Sequence, residues 1–125
     1  VLASTSGSTS VLAAAKLNRE QVRAKSREEL LEVMNSTSVE QEQKNSAASA
    51  VEKMAETAEQ EAAAELLLEA KGFAGCVVSI ADGKADVVIN AASLDDASRA
   101  QIEDIVKRKT GIPGENIVIM PSGES

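Results

Sequence analysis

A chain of 125 residues has room for one domain with a modest core, and that core must be aliphatic, because Phe73 is the only aromatic residue. The formal net charge of −7 and pI near 4.6 argue against nucleic acid or an anionic membrane surface as a partner. Histidine is absent and Cys76 is alone, which removes the commonest general base, the commonest metal ligand, any intrachain disulfide and any cysteine metal site.

The charge is uneven along the chain: +1 over residues 1–35, −5 over residues 36–71 and −3 over residues 72–125. No run approaches the roughly 18–20 apolar residues of a membrane span, and no signal peptide is visible. The chain starts at Val1 rather than at methionine, so it is expected to be a fragment, from which an upstream anchor could have been removed.

Residues 1–11 are rich in Ser, Thr and Gly and carry no charge, as expected of a flexible tether or an expression remnant. Residues 12–36 form a charged N-terminal helix, with a capping box at Ser26 and Glu29 that allows one break. Arg19, Arg23 and Arg27 are spaced by four and share one face of it. That basic row reads either as a solvated face or as a docking face for an acidic surface.

Residues 37–125 form an α/β unit. Its first helix runs from about Val39 to Lys71 after a break at Asn35–Ser38, capped by Ser38 or a neighbour and open to interruption near Asn45–Ser46. The apolar row expected to face the core is Ala47, Ala50/Val51, Met54, Ala58, Ala62 and Leu66. Glu52, Glu56 and Glu59, followed by Glu61, Glu65 and Glu69, are expected on the outer, acidic face. A straight helix cannot wrap six or more oxygens around one ion, so this row is no calcium or magnesium site. It reads as a solvated face or as a contact with a neighbouring subunit.

Gly72 ends that helix in a left-handed cap, with Phe73 folding back. The apolar run Cys76–Ile80, the pair Asp82–Gly83 and the alternating run Ala85–Ile89 make a β-hairpin. Ala85, Val87 and Ile89 face the helices. A helix from Leu94 to about Lys109 follows, capped by Ser93 with Asp96, and Ile117–Met120 is the last strand, ended by Pro121.

The fold class is therefore α+β: an α-β-β-α-β sandwich of two helices on a three-stranded sheet, preceded by an extra helix. The crossover makes strands two and three parallel and places both helices on one face. The opposite face carries some of Val77, Ser79, Val88, Val118 and Met120, and the two sheet edges are expected to be open to another chain.

This order resembles the extracytoplasmic domain of the stage III sporulation protein AH family, whose domain is a ring-building motif. Leu17-Asn18-Arg19-Glu20 leading to Lys25-Ser26-Arg27-Glu28-Glu29-Leu30 is similar to that family's charged first helix. Glu69-Ala70-Lys71-Gly72-Phe73 is similar to its helix exit, and the hairpin around Asp82-Gly83-Lys84 to its hairpin. The resemblance covers about Leu17 to Ser122. It implies a single-pass anchor in the mother-cell membrane and a domain in the space between mother cell and forespore. It further implies binding to the extracytoplasmic domain of a stage II sporulation protein Q, a ring or channel-like complex with other stage III A proteins, and no cofactor.

On this reading Arg19, Arg23 and Arg27, with the sheet edge carrying Val77, Ser79 and Ile80, contact the partner. Glu52, Glu56 and Glu59 face a neighbouring subunit, where the arginine row of another copy meets them head to tail. Two other classes compete. A KH-like nucleic-acid module would use Gly111-Ile112-Pro113-Gly114, a Gly-x-x-Gly spacing without basic residues inside it. A small accessory domain would hold a ligand at the sheet. No nucleophile, base or metal site points to an enzyme.

Overall fold

The computed structural model of the chain describes residues 7–123. Helix α1 (Gly7–Asn35) opens it, so the end of the expected tether, Gly7–Val11, is helical, while residues 1–6 lie outside the described residues. The helix runs straight through Ser26, without the break that the capping box allowed. After a five-residue serine-rich connection, helix α2 (Gln41–Ala70) is also unbroken, with Gln41 donating to Asn45 across its first turns. Its N-cap is Glu40, with no side-chain capping bond; Ser38 instead donates its own N–H to Ser36 Oγ.

Strands β1 (Cys76–Ala81) and β2 (Lys84–Ile89) pair antiparallel, joined by Asp82 (φ 53°) and Gly83 (φ 75°). Two successive left-handed residues make the turn whose twist matches that of the strands. Helix α3 (Asp96–Thr110) and a single 3₁₀ turn (Gly114–Asn116) then lead into β3 (Ile117–Pro121), which pairs parallel to β2 and completes the order β1-β2-β3. The cap of α3 is Asp95, not Ser93: its carboxylate accepts the Ser98 N–H at 2.7 Å, which holds the carboxyl below its usual range. Lys107, Arg108 and Lys109 in the last turn oppose the negative end of the helix dipole.

One sheet face, with Cys76, Val78, Ala85, Val87, Ile89 and Ile117, packs on Ala64 and Leu68 of α2 and on Ile102, Ile105 and Val106 of α3. Every one of these residues is aliphatic or small, as the composition required. Burial pushes the Cys76 thiol up to about 12, with the nearby Glu65 and Glu69 charges adding to it, and the thiol donates to the Glu65 carbonyl.

The rotation of α2 differs from the expected one. Ala47, Ala50, Val51 and Met54 do turn inward, but Ala58 and Ala62 are exposed and Leu66 is 71% exposed. Over its second half the helix faces the sheet with Glu61, Ala64, Glu65 and Leu68 instead.

The end of α2 is a Schellman motif, with Phe73 N–H on the Leu68 carbonyl and Gly72 N–H on that of Glu69. Gly72 has φ 101°, and no atom stands within 4 Å of where its Cβ would be. Gly72→Ala should therefore cost about 1–2 kcal/mol through backbone strain alone, read as a lower urea midpoint at unchanged slope, with Gly72→Asn costing less.

Candidate partner interface

The two glutamates that α2 turns inward reach the outer edge of β1. Glu65 accepts the Val78 N–H at 2.8 Å and Glu61 accepts the Ile80 N–H at 2.7 Å. These are the donors that point away from β2, and each would otherwise be free to pair with another strand. Glu61 is 1% exposed, and a carboxylate so buried costs several kcal/mol unless it is paired and fully hydrogen-bonded.

Helix α1 supplies the pairing. Arg23 holds both oxygens of Glu61 in a two-pronged bond, while Arg19 donates to Glu65 at 2.9 Å and to the Val78 carbonyl at 2.6 Å. The Glu61 hydrogen bond and charge raise the Arg23 pKa; for Arg19, burial pulls down, but Glu65 and Glu61 outweigh it. Both guanidiniums are charged throughout the stable pH range of a protein. Two arginines four residues apart on α1 thus meet two glutamates four residues apart on α2, and together they close the edge of β1.

The other edge is blunted as well. Along β3, Ile117 N–H is held by the Gly114 carbonyl, the Ile119 carbonyl accepts Arg99 Nη1 at 3.1 Å, and Pro121 has no N–H. What stays open is the outer face of the sheet, and only on its β3 side. Across the row Val77, Val88 and Met120, exposure rises from 1% at Val77 to 42% at Met120, and in the next row Val118 is 48% exposed. The gradient follows α1, which packs against β1 and leaves β3 bare.

The residues expected to bind a partner are therefore split. Arg19 and Arg23 bond within the chain, so the acidic surface that the basic row fits is mainly its own α2. Arg27 is exposed and borders a trough between α1 and α2. Val77 is buried, and Ile80 packs on the core with its N–H bonded, so neither offers an open strand edge. Ser79 is half-buried on the outer face. Glu52, Glu56 and Glu59 are exposed on α2 as expected, whereas Glu61 and Glu65 are not. Of the head-to-tail contact drawn from the two stripes, only Arg27 of the three arginines remains outward.

The Gly111–Gly114 loop lies past the end of α3, and the Glu103 carboxylate stands against Gly114. An acidic group there opposes a phosphate backbone. Among the described residues, no group of three or more metal-ligating side chains is clustered, and no helix is long and apolar enough to cross a membrane.

This arrangement of a charged helix clasped to an α-β-β-α-β unit can be set beside known proteins. The family described as SpoIIIAH-like protein matches residues 2–119. The chain belongs to the SpoIIIAH-like family. Among solved structures, it superimposes on a chain of "Structure of the SpoIIQ-SpoIIIAH pore forming complex" with a TM-score of 0.81. The two are 20% identical over 92% of this chain and 98% of the other, a likeness of fold. No curated protein matches the chain. The resemblance carried by Leu17–Leu30, the Gly72–Phe73 exit and the Asp82–Gly83 hairpin is thus borne out, as is the α+β class with its extra first helix.

In this SpoIIIAH-like domain the clasp is the feature most exposed to mutation. Glu61→Ala leaves Arg23 and the Ile80 N–H without their partner and should cost about 3 kcal/mol or more. A urea-unfolding double-mutant cycle with Arg23→Ala should show strong coupling, whereas Glu56→Ala should stay within about 0.5 kcal/mol of zero.

Proposed function

We propose that the chain is the extracytoplasmic domain of a membrane-anchored sporulation protein that binds the extracytoplasmic domain of a SpoIIQ-like protein. In this reading it lies between mother cell and forespore, held by a single upstream span in the mother-cell membrane. With other stage III A proteins it builds a ring or channel-like complex. The observation that carries the proposal is the family match over residues 2–119, joined to the fold shared with a chain of a SpoIIQ-SpoIIIAH complex. It acts as a scaffold, with no chemistry of its own.

The surface that best suits a protein partner is the outer sheet face on the β3 side, where Val118 and Met120 stand exposed beside half-buried Val88 and Ser79. Exposed apolar side chains on a rigid sheet, rimmed by Asp86 and Lys84, have the make-up of an interface core with a polar rim. With the β1 edge closed and the β3 edge blunted, the partner meets side chains here rather than adding a strand. For the ring, the exposed row Glu52, Glu56 and Glu59 faces a neighbouring subunit. Its basic counterpart is the last turn of α3, with Lys107, Arg108 and Lys109, because Arg19 and Arg23 are held in the clasp.

Co-purification with a SpoIIQ extracytoplasmic domain tests the first part. Val118→Asp or Met120→Asp should weaken binding at least about tenfold (1.4 kcal/mol) without changing the unfolding midpoint. Failure of the unmodified domain to bind any SpoIIQ partner would sink the reading. For the subunit contact, association with other stage III A domains should fall with salt and with Glu56→Lys; indifference to both would remove the acidic row from the interface.

A further inference from the structure

Helix α1 carries a second pattern, beside the face that grips α2. Leu17, Glu20, Ala24, Arg27 and Leu31 recur in alternating steps of three and four, the spacing of a seam between two packed helices. All five are exposed, Leu17 by 59% and Leu31 by 40%. The less exposed face of α1 includes Leu12, Arg19, Arg23, Leu30 and Val33, so among the described residues no element packs over the seam. Beside it α2 presents small side chains: Ala55 and Ala58 with Val51 and Met54 form the far wall of a trough of about 280 Å³, whose near wall is Glu20, Ala24 and Arg27.

Reversed, the seam is its own complement. A second copy of α1 laid antiparallel and centred on Ala24 sets Leu17 opposite Leu31 of the second copy, and brings Glu20 to within one residue's rise, about 1.5 Å, of Arg27 of the second copy. Each contact is repeated by the twofold axis, as a closed symmetric pair requires. At the centre the two Ala24 side chains, with the alanines of α2 behind them, let the helices approach closely. A parallel copy would instead place Glu20 against Glu20 and Arg27 against Arg27. A strongly acidic or strongly basic helix would satisfy one of the two charges and be repelled by the other. Among the described residues Glu20 is paired with Arg19, in an exposed bond at 3.2 Å that a competing contact displaces at little cost, and its charge also acts on Arg23.

We propose that this face of α1 is a homodimer surface, on which two copies pack α1 against α1, antiparallel about a twofold axis at Ala24. The seam from Leu17 to Leu31 is roughly 20 Å long at 1.5 Å per residue, which suits a weak, reversible dimer. The contact is separate from the sheet face offered to a SpoIIQ-like partner and from the acidic row of α2, so it stands or falls independently of them.

Sedimentation of the whole chain over a range of concentrations is the first measurement, and a reversible monomer–dimer equilibrium is expected. Glu20→Arg and Arg27→Glu should each weaken it at least tenfold, because each sets like charges face to face. The combined exchange of both should restore it to within about threefold, because the seam is again self-complementary. Glu56→Lys should leave it unchanged. Ala24→Cys should cross-link to a covalent dimer under mild oxidation, while Glu29→Cys, on the far side of α1, should not. Cys76 adds no background, being buried within the core. Thermal unfolding of each variant confirms that the clasp is intact. A chain that stays monomeric at all concentrations overturns the proposal. So does a double exchange that fails to rescue, which would point to a partner of other chemistry, and so does equal cross-linking at positions 24 and 29.

Discussion

Everything in this fold depends on how the outer edge of β1 is satisfied. A three-stranded sheet has two edges, and one of them here is met by carboxylates rather than by a strand. Glu61 and Glu65 take the N–H groups of Ile80 and Val78, and Arg23 and Arg19 neutralise them from α1. The glutamates could not be buried without the arginines, and the arginines would be solvated without the glutamates. The first helix is consequently part of the domain: it is bound to the sheet through the same four side chains that close the sheet.

That constraint decides what surface is left over. Because α1 lies along β1, Val77 is covered, and because Arg99, Gly114 and Pro121 take up part of the edge of β3, strand addition is hindered there too. Apart from single exposed side chains such as Val22 and Leu66, the open apolar surface lies on the β3 side of the outer face and on the flank of the α1–α2 pair. These two regions differ in chemistry. The first is a rigid aliphatic patch suited to a different protein. The second is a balanced seam with one acid and one base, suited to a copy of itself. Under the proposed scaffold role, contacts kept on separate faces leave one free when the other is occupied.

Much of the fold was legible in local chemistry. The Asp82–Gly83 turn, the Gly72 exit and the alternation of Ala85, Val87 and Ile89 each follow from backbone or side-chain geometry within a few residues. The cap of α3 was misplaced by two residues, because Ser93 and Asp95 are both good caps and only the path of the chain out of β2 selects between them. The rotation of α2 was the larger error. Hydrophobicity alone puts Ala58, Ala62 and Leu66 inside and the glutamates outside. For Glu61 and Glu65 the reverse holds, because their burial is driven by hydrogen bonds to a strand far along the chain, which no apolar count records. The signal that was available is the matching spacing: Arg19 and Arg23, Glu61 and Glu65, each four apart.

The sequence by itself determined the elements, the parallel return of β3, the aliphatic core and the family, since all of these rest on local propensities, turn residues and short motifs. It also determined that two basic and two acidic groups had to be placed somewhere. Only the tertiary structure decided that they face each other. An ion pair between helices depends on how each helix is rotated, and that rotation is set by the sheet edge they jointly cover. With it was decided which apolar residues stay outside, and hence which faces remain to meet another protein.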